Sequence, residues 1–396
     1  MRMDDSNQQQ KGIMTQRRAF VLKVDHLFTP EESHGIRYII VSNGRIVDIV
    51  SQKPRGRIID LTKGIVCPGF IDLGAYGFAD HDLSEGKVED LRAVASLLPS
   101  CGITSFLPSV STTPDAPLLR LVHDGTPLLD TMAGARPLGF HVEGPFYQRS
   151  LSEPNDPSLI RLPTPDAVQK LLESGRIAMV TIAPELPGAL EAIATLSTAG
   201  IVCSLGHTEA SFDIAEKAYM LGARSITHLF NEMRPFHHRD PGIIGAAFVL
   251  PFYVQFIADG VHTDPEVIRM MHAIAGRLVI ASTSIAATGS HLQNVRVAGR
   301  PITIDRTGAL DHHGHLAGSL TPLNQAAANL VSMGQFSWEE AIRCVTSIPA
   351  DTLHLADRGR IRPGARADIT VIDRSFHILL TIGEGTTLYQ SQKGLQ

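Results

Sequence analysis

The chain has 396 residues, 43% hydrophobic and 19% charged, with a formal net charge of −5. That is an ordinary globular composition, long enough for one large α/β domain with an appendage. The lack of a basic block argues against a nucleic-acid partner, although one or two placed arginines can still bind a small anionic metabolite.

No run approaches the ~20 apolar residues needed to span a bilayer, and the first 17 residues lack the apolar core of a signal peptide. The expectation is a soluble, cytoplasmic protein with no membrane partner and a disordered tail over residues 1–17. Cys67, Cys101, Cys203 and Cys344 are widely spaced. They read as free thiols rather than a disulfide framework or a structural zinc site.

Residues 18–66 read as short strands: Ala19–Val24, Tyr38–Val41, a tight turn at Asn43-Gly44, Ile46–Val50, Ile58–Asp60 and Gly64–Val66. Too small to bury a core alone, this segment needs a partner. Residues 357–396 supply one, with strand-like runs at Gly359–Pro363 and Asp368–Asp373 joined by a Pro-Gly turn, followed by a tail. Both ends of the chain are expected to meet in a small β-sandwich beside the central block.

The central block, residues 67–356, alternates apolar β-branched runs with amphipathic stretches. The runs are Val66–Leu73, Ile103–Val110, Leu138–Glu143, Ala178–Ala183, Ile201–Gly206, Ser225–Leu229, Val254–Ala258 and Leu278–Ser282. Helical patterns fall at Val88–Leu98, Pro165–Glu173, Gly188–Leu196, Ser211–Leu221 and Pro265–Ile274. Strands that are apolar on both faces and joined by helices are those of a parallel sheet, and eight such units predict a (β/α)₈ TIM-type barrel.

Such barrels place chemistry at the C-terminal ends of their strands. Here the third strand ends in Glu143, the fifth in His207 and the sixth in His228. One carboxylate and two imidazoles suit a single zinc-like divalent ion with open positions for water and substrate; Fe²⁺, Co²⁺ or Mn²⁺ are compatible.

At these residues the chain resembles the N-acetylglucosamine-6-phosphate deacetylases of the amidohydrolase superfamily. The segments that carry the likeness are Cys67–Asp72, His141–Phe146, Gly206–Thr208, Thr227–Gly242, Ala258–His262 and Leu316–Ser319. The resemblance implies the barrel, the flanking β-domain and a homodimer. It matches Glu143, His207 and His228 to the metal ligands. It matches Asn231 and the backbone beside it at Glu232 to residues that hold the sugar phosphate, and Arg239 to an arginine reaching that phosphate from the neighbouring subunit. His262 matches a substrate-binding histidine, and Leu316, Ala317 and Gly318 match a loop over the sugar.

Three positions depart from that pattern. Gly74 and Tyr76 stand where relatives with two metals carry His-x-His. Asn155 stands where a substrate-contacting histidine is common. Thr283 stands where the family has the aspartate that moves protons to and from water and the leaving amine. A hydroxyl can position water, but its pKa is far too high for it to act as the base. Two functions follow: a metal-dependent hydrolase of an N-acetyl amino-sugar phosphate, or a barrel that binds metal and phosphosugar without efficient turnover.

Overall fold

The computed structural model describes residues 19–29, 31–111, 115–151, 157–292 and 294–392; the expected N-terminal tail and Asn155 lie outside the described residues. Each of the eight apolar runs of the central block supplies one parallel barrel strand. They are Phe70–Ala75, Ile103–Val110, Phe140–Glu143, Ile177–Ile182, Val202–Leu205, Ser225–Ile226, Tyr253–Phe256 and Leu278–Ile280. Each pairs with the next in sequence. The barrel nearly closes through a parallel bridge between Ala75 and Ser284 and through Asp72, which accepts hydrogen bonds from both the amide and the hydroxyl of Ser282. Every residue of the second strand is buried, as burial on two faces requires.

The connecting helices start where the local chemistry dictates. Thr164 caps Pro165–Ser174, Ser211 caps Phe212–Met220 and Asp264 caps Pro265–Met270, each side chain accepting an orphan backbone N–H. Helices at Asp115–Gly125 and Gly242–Val249 were not anticipated. The second is apolar nearly throughout (GIIGAAFV) and buried from Gly242 to Ala247, so it lacks the periodic stripe that marks a surface helix.

The segments near the two ends hydrogen-bond as one eight-stranded sheet around its own core of Leu22, Val24, Ile39, Val41, Val66, Ile369, Val371 and Leu380. Ile369–Ile372 pairs antiparallel with Ile65–Pro68, which pairs with Phe20–Thr29. Three expectations need correction. The run read as Val66–Leu73 is two strands of different sheets, broken at Gly69, where a Cβ would come within 2.2 Å of Thr104 Oγ1. Gly359–Pro363 runs as bends, with Ile361 alone anchored in the core; a single apolar residue between glycine and proline imitated a strand. The segment read as a tail forms a hairpin of Ile378–Gly383 and Thr386–Gln390.

Ion pairs tie the sheet to the barrel. Glu384 receives Arg358, Arg366 and the barrel's Arg136, and Arg358 also pairs with buried Asp368. Among the described residues, no helix is long and apolar enough to cross a membrane.

Candidate metal centre and cavity

Glu143 ends the third barrel strand, while His207 and His228 each stand two residues past the fifth and sixth. Both histidines have left-handed backbone, φ 48° and 33°. For a residue with a side chain that geometry is uncommon and typically costs about 1–3 kcal/mol, and such strain gathers at functional sites. All three side chains are buried.

Their ligand atoms converge. Nε2 of His207 lies 3.3 Å and Nε2 of His228 2.9 Å from the same Glu143 oxygen, and the two Nε2 atoms are 3.2 Å apart. On the outer side, Nδ1 of His207 donates to the Leu151 carbonyl at 2.8 Å and Nδ1 of His228 to the Asn231 carbonyl at 3.0 Å. A carbonyl can only accept, so these bonds assign each ring's proton to Nδ1. Two Nε2 lone pairs then face each other and a carboxylate. Protonating both to satisfy Glu143 would place two imidazolium charges side by side in a buried site. A divalent cation at the centre removes the conflict, and the outer carbonyls are the orienting partners that metal-bound histidines usually have.

Burial raises the Glu143 carboxyl, but the two imidazoles beside it outweigh burial and hold it well below the usual carboxylate range, so the group is ionised. Tyr147 stacks on the His207 ring, centroids 3.9 Å apart, which fixes its plane. Below the triad, His141 sits between the Ser109 hydroxyl at 3.1 Å and the Thr181 hydroxyl at 2.8 Å; burial lowers its pKa to about 4, so it is neutral.

The triad forms one wall of a cavity of about 250 Å³. Asn231, Glu232, His262 and Thr283 line it as well, with Leu316, Ala317 and Gly318 across from them. His262 is held by Asp259, which accepts its Nδ1 at 2.7 Å, its backbone amide at 2.8 Å and the Ser319 hydroxyl at 2.8 Å. Thr283 also has left-handed backbone, φ 48°. Arg239 does not line this cavity; it is exposed on the loop after Glu232, with Nη1 3.3 Å from Nε2 of His238.

Several contributors escaped the sequence reading. Asp82 lines the cavity and accepts from Ser84 and from the Ala298 amide at 2.7 Å. Ala298 belongs to an unanticipated three-stranded insert, Asn294–Val297, Arg300–Asp305 and Gly308–Leu310, whose first turn reaches the cavity wall. Asp259 was within reach of sequence reasoning, since Asp-x-x-His at a strand end is the spacing at which a carboxylate can orient an imidazole.

A carboxylate and two imidazoles at the C-terminal mouth of a parallel barrel define a class of protein, the metal-dependent hydrolase barrels. The profile of the amidohydrolase family matches residues 65–390. An N-acetylglucosamine-6-phosphate deacetylase from Bos taurus is 34% identical, over 83% of this chain and 84% of its own length. One from Lysinibacillus sphaericus is 29% identical, over 89% and 93%. Among solved structures, a mutant of the Mycobacterium smegmatis deacetylase in complex with N-acetyl-D-glucosamine-6-phosphate superposes with a TM-score of 0.88 at 28% identity, covering 94% of this chain and all of that one. The chain belongs to the amidohydrolase family and, within it, to the N-acetylglucosamine-6-phosphate deacetylases.

Proposed function

We propose that the protein hydrolyses the acetamide of an N-acetyl amino-sugar phosphate to the free amine and acetate, with one divalent cation per chain held by Glu143, His207 and His228. The observation that carries this reading is the pair of inward-facing Nε2 atoms beside Glu143, whose outer nitrogens are already committed to carbonyls. A donor set of two nitrogens and one oxygen favours zinc, with Fe²⁺, Co²⁺ and Mn²⁺ as alternatives. The cation would polarise the acetyl carbonyl and activate water at neutral pH.

The remaining roles fall to the chain. Asn231 and the backbone at Glu232 hold the phosphate end of the sugar, and His262, presented by Asp259, donates to the substrate. Leu316, Ala317 and Gly318 cover the ring. Arg239, exposed and outside its own cavity, reaches the phosphate of a second copy in a homodimer, where a guanidinium fork suits phosphate geometry. The proposed setting of this reaction is the cytoplasm.

Thr283 offers no base at the position the family gives to aspartate, so proton transfer is the weak step. Acetate release from N-acetylglucosamine 6-phosphate, measured on protein of known metal content, tests the proposal. The expected result is measurable release that disappears on chelation and returns on adding zinc. No release from any N-acetyl amino-sugar phosphate by fully loaded protein would overturn it.

A further inference from the structure

We propose that the hairpin tip at Val297 and Ala298 is the wall that limits the length of the N-acyl group, and that Asp82 is the positioning residue that holds it there. This deepens the proposed reaction and rests on it. The three-stranded insert follows the eighth barrel strand and packs on the barrel mouth, where Val295, Val297, Ile302 and Ala309 cluster with Tyr76, Ile285 and Ala287.

Within the insert Val297 pairs with Arg300, which leaves Ala298 and Gly299 as a two-residue turn with φ 50° and 76°. Two positive φ values mark a hairpin turn that normally begins with Asn, Asp or Gly. Alanine adopts that backbone with strain, and such strain persists where the surroundings fix it. Asp82 fixes it here. The carboxylate is buried, and its Oδ2 accepts the Ala298 amide at 2.7 Å. Its Oδ1 accepts the Ser84 amide at 2.9 Å and the Ser84 hydroxyl at 2.6 Å, so both oxygens are committed. Held this way, Val297 and Ala298 line the same cavity as the triad.

The order of the barrel decides which end of a substrate meets this wall. The eight strands pair in sequence around the barrel, so the loops after the first and second face those after the fifth and sixth. Asn231 and Glu232, the proposed phosphate anchor, lie past the sixth strand. Asp82, Ser84 and Ser111 lie past the first and second, and all three line the cavity. With the phosphate anchored on one side and the acyl carbonyl held at the triad, the acyl tail extends toward the opposite wall. There a valine side chain and one alanine methyl suit the methyl of an acetyl group and stop a longer tail.

The test is titration calorimetry of purified full-length protein with N-acetyl- and N-propionylglucosamine 6-phosphate, supported by kcat/KM for acyl release. Wild-type protein should prefer the acetyl compound, since one methylene in an apolar pocket is typically worth about 10–200-fold. Ala298→Gly removes the methyl at a φ that glycine adopts freely, and should reduce that preference by about 10-fold or more. Asp82→Asn loses one of the two accepting oxygens, frees the tip and should relax the preference in the same direction. The double variant should relax it no further than the larger single change, because both act on one wall. If Asp82→Asn does not fold, lactic acid in place of Ala298 turns the donating amide into an ester and tests the same bond. An unchanged preference in Ala298→Gly, or wild-type protein that binds both compounds equally, would overturn the wall. A relaxed preference in Ala298→Gly but not in the Asp82 or ester variants would overturn the role of Asp82 alone. Failure of wild-type protein to bind either phosphosugar would instead overturn the proposed function.

Discussion

Replacing Thr283 by aspartate is the most informative single perturbation of this site. The backbone there has φ 48°, a left-handed conformation that a β-branched residue adopts at a penalty and that Asp and Asn enter much more readily. The fold is therefore suited to the carboxylate, and Thr283→Asp should leave the melting temperature unchanged or slightly raised. The introduced side chain lies in the wall of the cavity that also holds the triad. General acid–base assistance is typically worth about 10²–10⁴-fold. The expected gain in acetate release from N-acetylglucosamine 6-phosphate is about 10²-fold or more, which corresponds to roughly 2.7 kcal/mol off the barrier. Thr283→Asn is the control, because it shares the shape and backbone preference and cannot accept a proton; it should gain nothing. Initial rates are compared at matched metal content. An aspartate variant no faster than the asparagine variant, with metal content and melting temperature intact, would refute the argument. Wild-type turnover near the enzyme median of about 10 s⁻¹ would also refute it, since a substitute base would then be at work.

Three further outcomes are expected. His207→Ala should lose stoichiometric metal, and chelation of wild-type protein should lower its melting temperature to that of the variant; saturation at 100 times Kd stabilises a protein by about 2.7 kcal/mol, so an unchanged thermogram counts against the centre. Arg239→Ala should weaken phosphosugar binding by about 1.5–3 kcal/mol in calorimetry while sparing metal content, and equal affinity would remove its phosphate role. Burial raises Glu384, but Arg358 and Arg136 outweigh it and bring it down to about 2. The stability it contributes is thus present above the ordinary glutamate pKa and lost as pH falls toward 2. Glu384→Gln should cost up to about 3 kcal/mol at pH 7 in denaturant melts, with the difference from wild type shrinking in acid; a difference independent of pH contradicts the ion-pair account.

The barrel was legible because its signal is redundant: eight runs had to be apolar on both faces, and all eight are strands. The triad was legible for a related reason, since residue types with lone pairs recurred just past strand ends. What escaped had a different physical origin. Gly242–Val249 is buried along Gly242–Ala247 and shows no amphipathic period. Gly69 stands between two sheets where a Cβ would clash with Thr104, which no hydropathy pattern contains. The insert at 294–310 and the hairpin at 378–390 pair within themselves but settle on partners far away in sequence, the first on Tyr76 and the second on the Pro99 carbonyl. Asp82 contributes by holding the Ala298 amide, and such a role emerges only when the neighbours are in place. Arg239 shows the converse: its residue type suits an anion, yet it stands outside its own cavity.

The seam between Ile65–Pro68 and Ile369–Ile372 also has a meaning for biosynthesis. The earlier strand leaves the ribosome about 300 residues before the later one. At about 5–20 residues per second, that is a delay of roughly 15–60 s, during which the small sheet lacks a central strand and Val66 lacks its cover. Throughout that interval Ile65–Pro68 has an open edge able to pair with another nascent chain. The flanking sheet therefore becomes complete only after the whole barrel has been made. Crowded polysomes and a ribosome slowed between these two strands are the conditions under which this protein would be lost to aggregation, well before any question of catalysis arises.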